Sequence, residues 1–238
     1  MSEELLAVVR LLASIAWERG GVLSPGLLVG VLWTTQVGYL AIAHRATRVS
    51  GRPSSLGVAN TVTMVRGGLY AVVAGFVLVP AGTGLAWVPA VCYGVGAALD
   101  RVDGLLARTI GRETALGERL DMAFDTFGFV AAPLVAVLWG VLPAWYLSLS
   151  AARFVYRGAC GWRRLRGRPL FDRPDSDLGR NLAGLQMVFL TVALAPPVPA
   201  SLVATVAPVV LAPSLAVFCR DFLYVSGRLP LGGRAGDN

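Results

Sequence analysis

The chain has 238 residues, 55% of them hydrophobic, and a mean hydropathy of +0.66. Its 21 basic residues, all arginine, exceed its 14 acidic ones and leave a net charge of +7. Such long, continuous apolar runs exclude an ordinary soluble core, and a nucleic-acid partner is disfavoured because the arginines fall mostly between the runs.

In chain order, "MSEELLAVVRLLASIAWERGG" comes first, with an acidic start, an interior Arg10 and no small-residue cleavage site. It reads as an interfacial amphipathic helix and a poor signal peptide. Seven apolar runs follow, at 24–43, 62–79, 85–99, 122–139, 142–155, 182–194 and 202–224, each read as a helical membrane span. A helix needs about 20 apolar residues to cross roughly 30 Å of hydrocarbon, so the shorter runs must borrow polar flanks. The run at 182–194 is stopped early by Pro196 and Pro197.

The gaps between the runs alternate in charge. Arg45, Arg48 and Arg52 lie in the first; Arg101, Arg108, Arg112 and Arg119 lie at 100–120. Arg157, Arg163, Arg164, Arg166, Arg168, Arg173 and Arg180 follow Tyr156, and Arg220, Arg228 and Arg234 come near the end. The intervening "PAGTG", "GVLP" and "APPVPA" carry no charge. Cytoplasmic loops carry the arginine excess, so the pattern predicts seven crossings with the amphipathic helix outside. Gly26 and Gly30 form a GxxxG that leaves a homodimer open, and "GVGAAL" at 94–99 reads as helix packing. Cys92, Cys160 and Cys219 are scattered, with no CxxC, and read as free thiols in a reducing compartment. His44 is the only histidine, so any metal site would use oxygen ligands.

The stretch "LDRVDGLLARTIGRETALGERLDMAFD" at 99–125 carries the chemistry. Asp100 and Asp103 are three residues apart and Asp121 and Asp125 four, so each pair shares one helix face. Two helices joined at the cytoplasmic surface bring the pairs together. Like charges 4 Å apart repel by about 4 kcal/mol at an effective dielectric of 20, and burial near a bilayer centre costs roughly another 2.5–3.5 kcal/mol for each. Hard divalent cations, Mg2+ or Mn2+, offset that cost. Solvated loop charges or arginine partners would account for two aspartates, but four at helical spacing favour a common site. A cation or proton transporter is the alternative reading of intramembrane carboxylates.

Asp100, Asp103, Gly104, Ala107, Arg108, Gly117, Asp121 and Asp125 together spell D-x2-D-G-x2-A-R-x8-G-x3-D-x3-D. This string resembles the signature of the CDP-alcohol phosphotransferase family, without departure, and the likeness extends over residues 56–226. The resemblance implies an all-α polytopic transmembrane bundle with a six-span core. It also implies transfer of a phosphatidyl-type group from a CDP-linked lipid donor to a small alcohol acceptor, with release of CMP, in phospholipid biosynthesis. An inactive family member is a further alternative, which the intact motif argues against. By the same resemblance Asp100, Asp103 and Asp121 bind two divalent cations, while Asp125 helps hold the second and acts as general base. Gly104, Ala107, Arg108, Thr114 and Gly117 are the implied nucleotide contacts.

Upstream, "ANTVTMVR" is similar to the family's first core-span segment, with Asn60, Thr63 and Arg66 matching and Ala59 and Val62 departing. These residues are expected to line the CDP-lipid site. Downstream, Ser176, Gly179 and Arg180 resemble the segment before the fifth core span, with Arg replacing Lys. Arg153, Arg157 and Arg180 are expected to bind the acceptor, which they tilt toward a phosphorylated alcohol; an anchor on anionic lipid is the plainer reading of the arginine cluster. Residues 1–55 are expected to form the amphipathic helix and an extra span, 56–226 the family domain, and 227–238 a cytoplasmic tail. The expected location is a prokaryotic plasma membrane, surrounded by membrane lipid, with the active site facing the cytoplasm and no nucleic-acid partner.

Overall fold

The computed structural model describes residues 3–49, 58–110, 115–171 and 177–229, and the side chains of 3–46, 61–102, 122–171 and 177–229. The helices are α1 (Glu3–Gly20), α2 (Leu23–Val49), α3 (Val58–Gly75), α4 (Trp87–Ile110), α5 (Ala115–Leu138), α6 (Ser148–Leu165), α7 (Asp177–Ala193) and α8 (Ala200–Val225), and no strand occurs among the described residues. The protein is an all-α polytopic membrane bundle. Helices α3 to α8 supply the expected six-helix core, and α1 and α2 precede it. Three helical stretches, Leu23–Ala46, Thr61–Leu78 and Ala200–Val225, are long and apolar enough to cross a membrane, and Met122–Leu138 is a shorter apolar one.

Several helices extend past their apolar runs because polar segments continue the helix beyond the hydrocarbon. α4 runs on through Asp100 to Ile110, and α5 begins at Ala115, before its apolar run. α7 starts at Asp177, an acidic residue placed to favour the helix N-terminus. α6 departs most from expectation. Pro143 and a 3-10 turn at Ala144–Leu147 delay its start to Ser148, and it carries its arginines on to Leu165.

The core holds Tyr70 and Val73 of α3, Tyr93 of α4, Val135 of α5, Leu190 of α7 and Leu211 of α8. Outward side chains such as Leu27, Ile42, Val188 and Val209 are exposed, as a lipid solvent allows. α2 packs along α3, where Gly67, Gly68 and Gly75 leave room for Gln36, Trp33 and Val29. Ala43 of α2 also meets Phe124 of α5 in a small second cluster with Leu40 and Met64. The extra helix therefore braces the same two helices that carry Arg66 and Asp125.

α1 closes one end of the bundle. Arg10 donates from Nε to the Leu138 carbonyl at 2.8 Å and from Nη2 to the Val137 carbonyl at 2.9 Å. These carbonyls lie at the end of α5, where helical N–H donors run out; the Val137 carbonyl also accepts from the Gly140 N–H at 3.0 Å. Gly140, at φ +75°, turns the chain just beyond them in the left-handed region that suits glycine. Asp125 lies thirteen residues back along α5, about 20 Å away at helical rise. The aspartates and α1 are at opposite ends.

Candidate active site

Arg66 is fully buried, and its guanidinium joins two helices. Nη1 donates to Asp100 Oδ1 on α4, and Nη2 lies 3.2 Å from Asp125 Oδ1 on α5. One residue from each motif pair thus faces the same point, and α3 supplies the counter-charge. The side chains of Asp103 and Asp121 lie outside the described ones, as do those of Asn60, Gly104, Ala107, Arg108, Thr114, Gly117 and Ser176.

A second layer sets this geometry. Tyr70 follows Arg66 by four residues, Gly96 precedes Asp100 by four, and Gly128 follows Asp125 by three. Each lies about one helical turn from its charged partner, on the side away from the connection between α4 and α5. The buried Tyr70 ring fills the space between the two glycines, where a Cβ on either would overlap it. Close helix approach at the glycines brings the carboxylates within reach of Arg66. Thr63, one turn to the other side of Arg66, is also buried. The motif reading missed Tyr70 and Gly128, whose spacing to Arg66 and Asp125 was the available signal.

Beside the aspartates, α5, α6, α7 and α8 enclose a cleft of about 290 Å3. Phe129, Arg153, Arg180, Gln186, Ser214 and Asp221 line it. The Arg153 guanidinium lies 4.2 Å from the Phe129 ring centroid, a cation–π position, and is in electrostatic range of Asp125 and Asp100. Arg180 lies at the start of α7 and is paired with Asp177 at 2.9 Å, both exposed. Arg157 turns elsewhere, donating to Thr126 Oγ1 at 3.2 Å. Two of the three expected acceptor arginines therefore line one cleft, and the third holds the residue after Asp125.

The floor of the cleft is a buried polar network. Gln186 accepts from the Tyr146 hydroxyl and donates at 2.9 Å to both the Val210 carbonyl and Ser214 Oγ. These residues gave no sequence signal, each being a lone polar group within an apolar run. Arg163, from the same basic cluster, donates at 3.1 Å to the carbonyls of Pro169 and Ser226 and ties α6 to the end of α8. Among the described residues no group of three or more His, Cys, Asp or Glu is placed to hold a metal, two of the four motif carboxylates being outside that set.

No curated protein matches the chain. The profile of the family described as CDP-alcohol phosphatidyltransferase matches residues 56–218, more than half of the sequence, from just before α3 into α8. The chain therefore belongs to the CDP-alcohol phosphatidyltransferase family, membrane transferases of phospholipid synthesis.

Proposed function

We propose that the protein transfers a phosphatidyl-type group from a CDP-linked lipid to a phosphorylated alcohol, such as glycerol phosphate or inositol phosphate, and releases CMP. The observation that supports this most is the meeting of Asp100 and Asp125, from two helices, at one buried guanidinium. Divalent cations fit the donor set. Carboxylate oxygens are hard ligands suited to Mg2+ or Mn2+, and Asp100, Asp103, Asp121 and Asp125 would hold two such ions. Cations held there would supply positive charge against the diphosphate and the leaving CMP.

The remaining work belongs to the chain. Asp125 takes the acceptor hydroxyl proton as the alcohol oxygen forms its bond to phosphorus and the bond to CMP breaks. Arg66 pairs with Asp125 and aims it. Arg153, beside Phe129 one turn from Asp125, holds the acceptor's anion in the cleft so that its hydroxyl faces that carboxylate. Asn60, Thr63, Gly104, Ala107, Arg108, Thr114 and Gly117 would contact the nucleotide. Gly104 and Gly117 let it approach the helix backbone, and Arg108 offers a fixed fork to phosphate oxygens.

Asp125→Asn keeps the shape and removes the base. The variant is expected to insert normally and to release CMP at least about 100-fold more slowly, while chelation of divalent cations stops the wild type. The assay is CMP release from a CDP-lipid with a panel of phosphorylated alcohols. Undiminished release by the variant removes Asp125 from the mechanism.

A further inference from the structure

The fold divides the arginines of α6 and the turn after it. Arg153 faces the cleft, Arg157 donates to Thr126, and Arg163 donates to the carbonyls of Pro169 and Ser226. Arg164, Arg166 and Arg168 remain on the surface, all exposed, and no carboxylate pairs with them among the described residues. Arg166 and Arg168 lie beyond Leu165, where α6 ends, so the helix dipole, which acts within the last turn, does not account for them. Beside them Trp162 is 59% and Leu165 85% exposed. The Arg166 guanidinium lies 4.6 Å from the Trp162 ring centroid, which joins a charge and an apolar ring in one unit. The segment is also held in place. Gly167, at φ +63°, turns the chain, Arg163 ties it to the end of α8, and the Phe171 N–H donates to the Val225 carbonyl at 3.1 Å.

We infer that this end of α6 is a docking surface for anionic lipid headgroups. Lipid phosphates pair with Arg164, Arg166 and Arg168, while Trp162 and Leu165 enter the edge of the acyl layer. The depth of these residues agrees. Arg157 is level with Thr126, next to Asp125, so Trp162, five residues on, lies about 7.5 Å farther out at helical rise. Phe154, Trp162 and Leu165, at i, i+8 and i+11, share one exposed face of α6. Such a face in a membrane bundle meets lipid, and tryptophan with arginines just beyond it is the composition of a membrane interface. A soluble acidic partner would cover the arginine end of that face and leave Phe154 uncovered. Because the turn is already ordered, little chain entropy is lost when a headgroup binds. The inference is independent of the transferase reading above.

Quenching of Trp162 fluorescence tests it. The purified full chain is placed in phosphatidylcholine nanodiscs with rising fractions of a lipid brominated near the head of its acyl chains, either phosphatidylglycerol or phosphatidylcholine. The difference in emission between wild type and Trp162→Phe isolates this ring among the six tryptophans. Brominated phosphatidylglycerol is expected to reach half-quenching at a mole fraction at least about fivefold lower, the factor that one arginine near an anionic surface supplies. Arg164→Gln, Arg166→Gln and Arg168→Gln together are expected to make the two lipids equal, and the three corresponding Lys substitutions to keep the preference. Raised salt is expected to shrink the wild-type preference, a measurement that needs no arginine variant. Equal quenching of wild type by both lipids, or a preference that survives the glutamines or is indifferent to salt, overturns the inference. So does a lysine variant that behaves like the glutamine one, which would show a structural role, or a Trp162 that neither lipid quenches, which would assign the surface to another partner. None of these readouts involves CMP release, so their failure leaves the transferase reading untouched.

Discussion

Arg66 sets the electrostatics of the site. Its planar fork sends one arm to Asp100 on α4 and the other to Asp125 on α5, a bridge that a single ammonium cannot reproduce in the same geometry. Arg66→Lys is therefore expected to lower metal-dependent CMP release about tenfold or more, since loss of one charge-assisted hydrogen bond costs about 1.5–3 kcal/mol. Arg66→Leu is expected to lose about 3–5 kcal/mol of stability as well, because two carboxylates lose their buried partner. Parallel rate and thermal-unfolding measurements in detergent separate the effects, and undiminished turnover in the lysine variant would refute this role. The motif spacing marked Asp100, Asp125 and Arg66 individually. Their pairing was not legible, because it depends on the rotation of three helices that no local pattern encodes. Gln186 and Ser214 were less legible still, for a lone polar residue in an apolar run acquires meaning only from what it packs against.

At the scale of helices, the charged layer depends on the aromatic layer beside it. Tyr70 can occupy its place only because Gly96 and Gly128 lack side chains, so register between α3, α4 and α5 is set by one ring and two glycines. Gly128→Ala is expected to cost about 1–3 kcal/mol through overpacking against that ring, and to slow CMP release by moving Asp125 away from Arg66. Tyr70→Leu, with its smaller side chain, is expected to restore part of both losses in the Gly128→Ala background. Thermal unfolding and turnover of the two single variants and the double complete the cycle. Strictly additive losses would show that ring and glycine act independently. Hydropathy made the existence of these helices legible but not their ends. The beginning of α6 was displaced by Pro143 and a 3-10 turn, and that of α7 by Asp177, both of them local backbone effects invisible to an apolar count. The packing of α2 on the glycine face of α3 was equally hidden, since GxxxG drew attention to Gly26 and Gly30, whose faces are open.

At the scale of the whole molecule, the arginines among the described residues are sorted by end. Arg45, Arg101, Arg163, Arg164, Arg166, Arg168, Arg180, Arg220 and Arg228 lie toward the end that carries Asp100 and Asp125, whereas α1 at the opposite end has only Arg10 and Arg19, offset by Glu3, Glu4 and Glu18. The alternation seen between gaps in the sequence thus becomes a charge difference between two faces of one bundle. The positive-inside rule predicts that the aspartate end faces the cytoplasm and that α1 lies on the outer side. Cysteine labelling measures this directly. In a background where Cys92, Cys160 and Cys219 are replaced, Glu3→Cys and Arg228→Cys each place one thiol at an exposed position. A membrane-impermeant maleimide applied to intact cells is expected to label Glu3→Cys at once and Arg228→Cys only after permeabilisation. The reverse pattern would invert the bundle and turn the aspartates outward. Labelling of both thiols from one side would mean that the two ends of the bundle do not straddle the bilayer, and α2 would then lie along the membrane surface instead of crossing it.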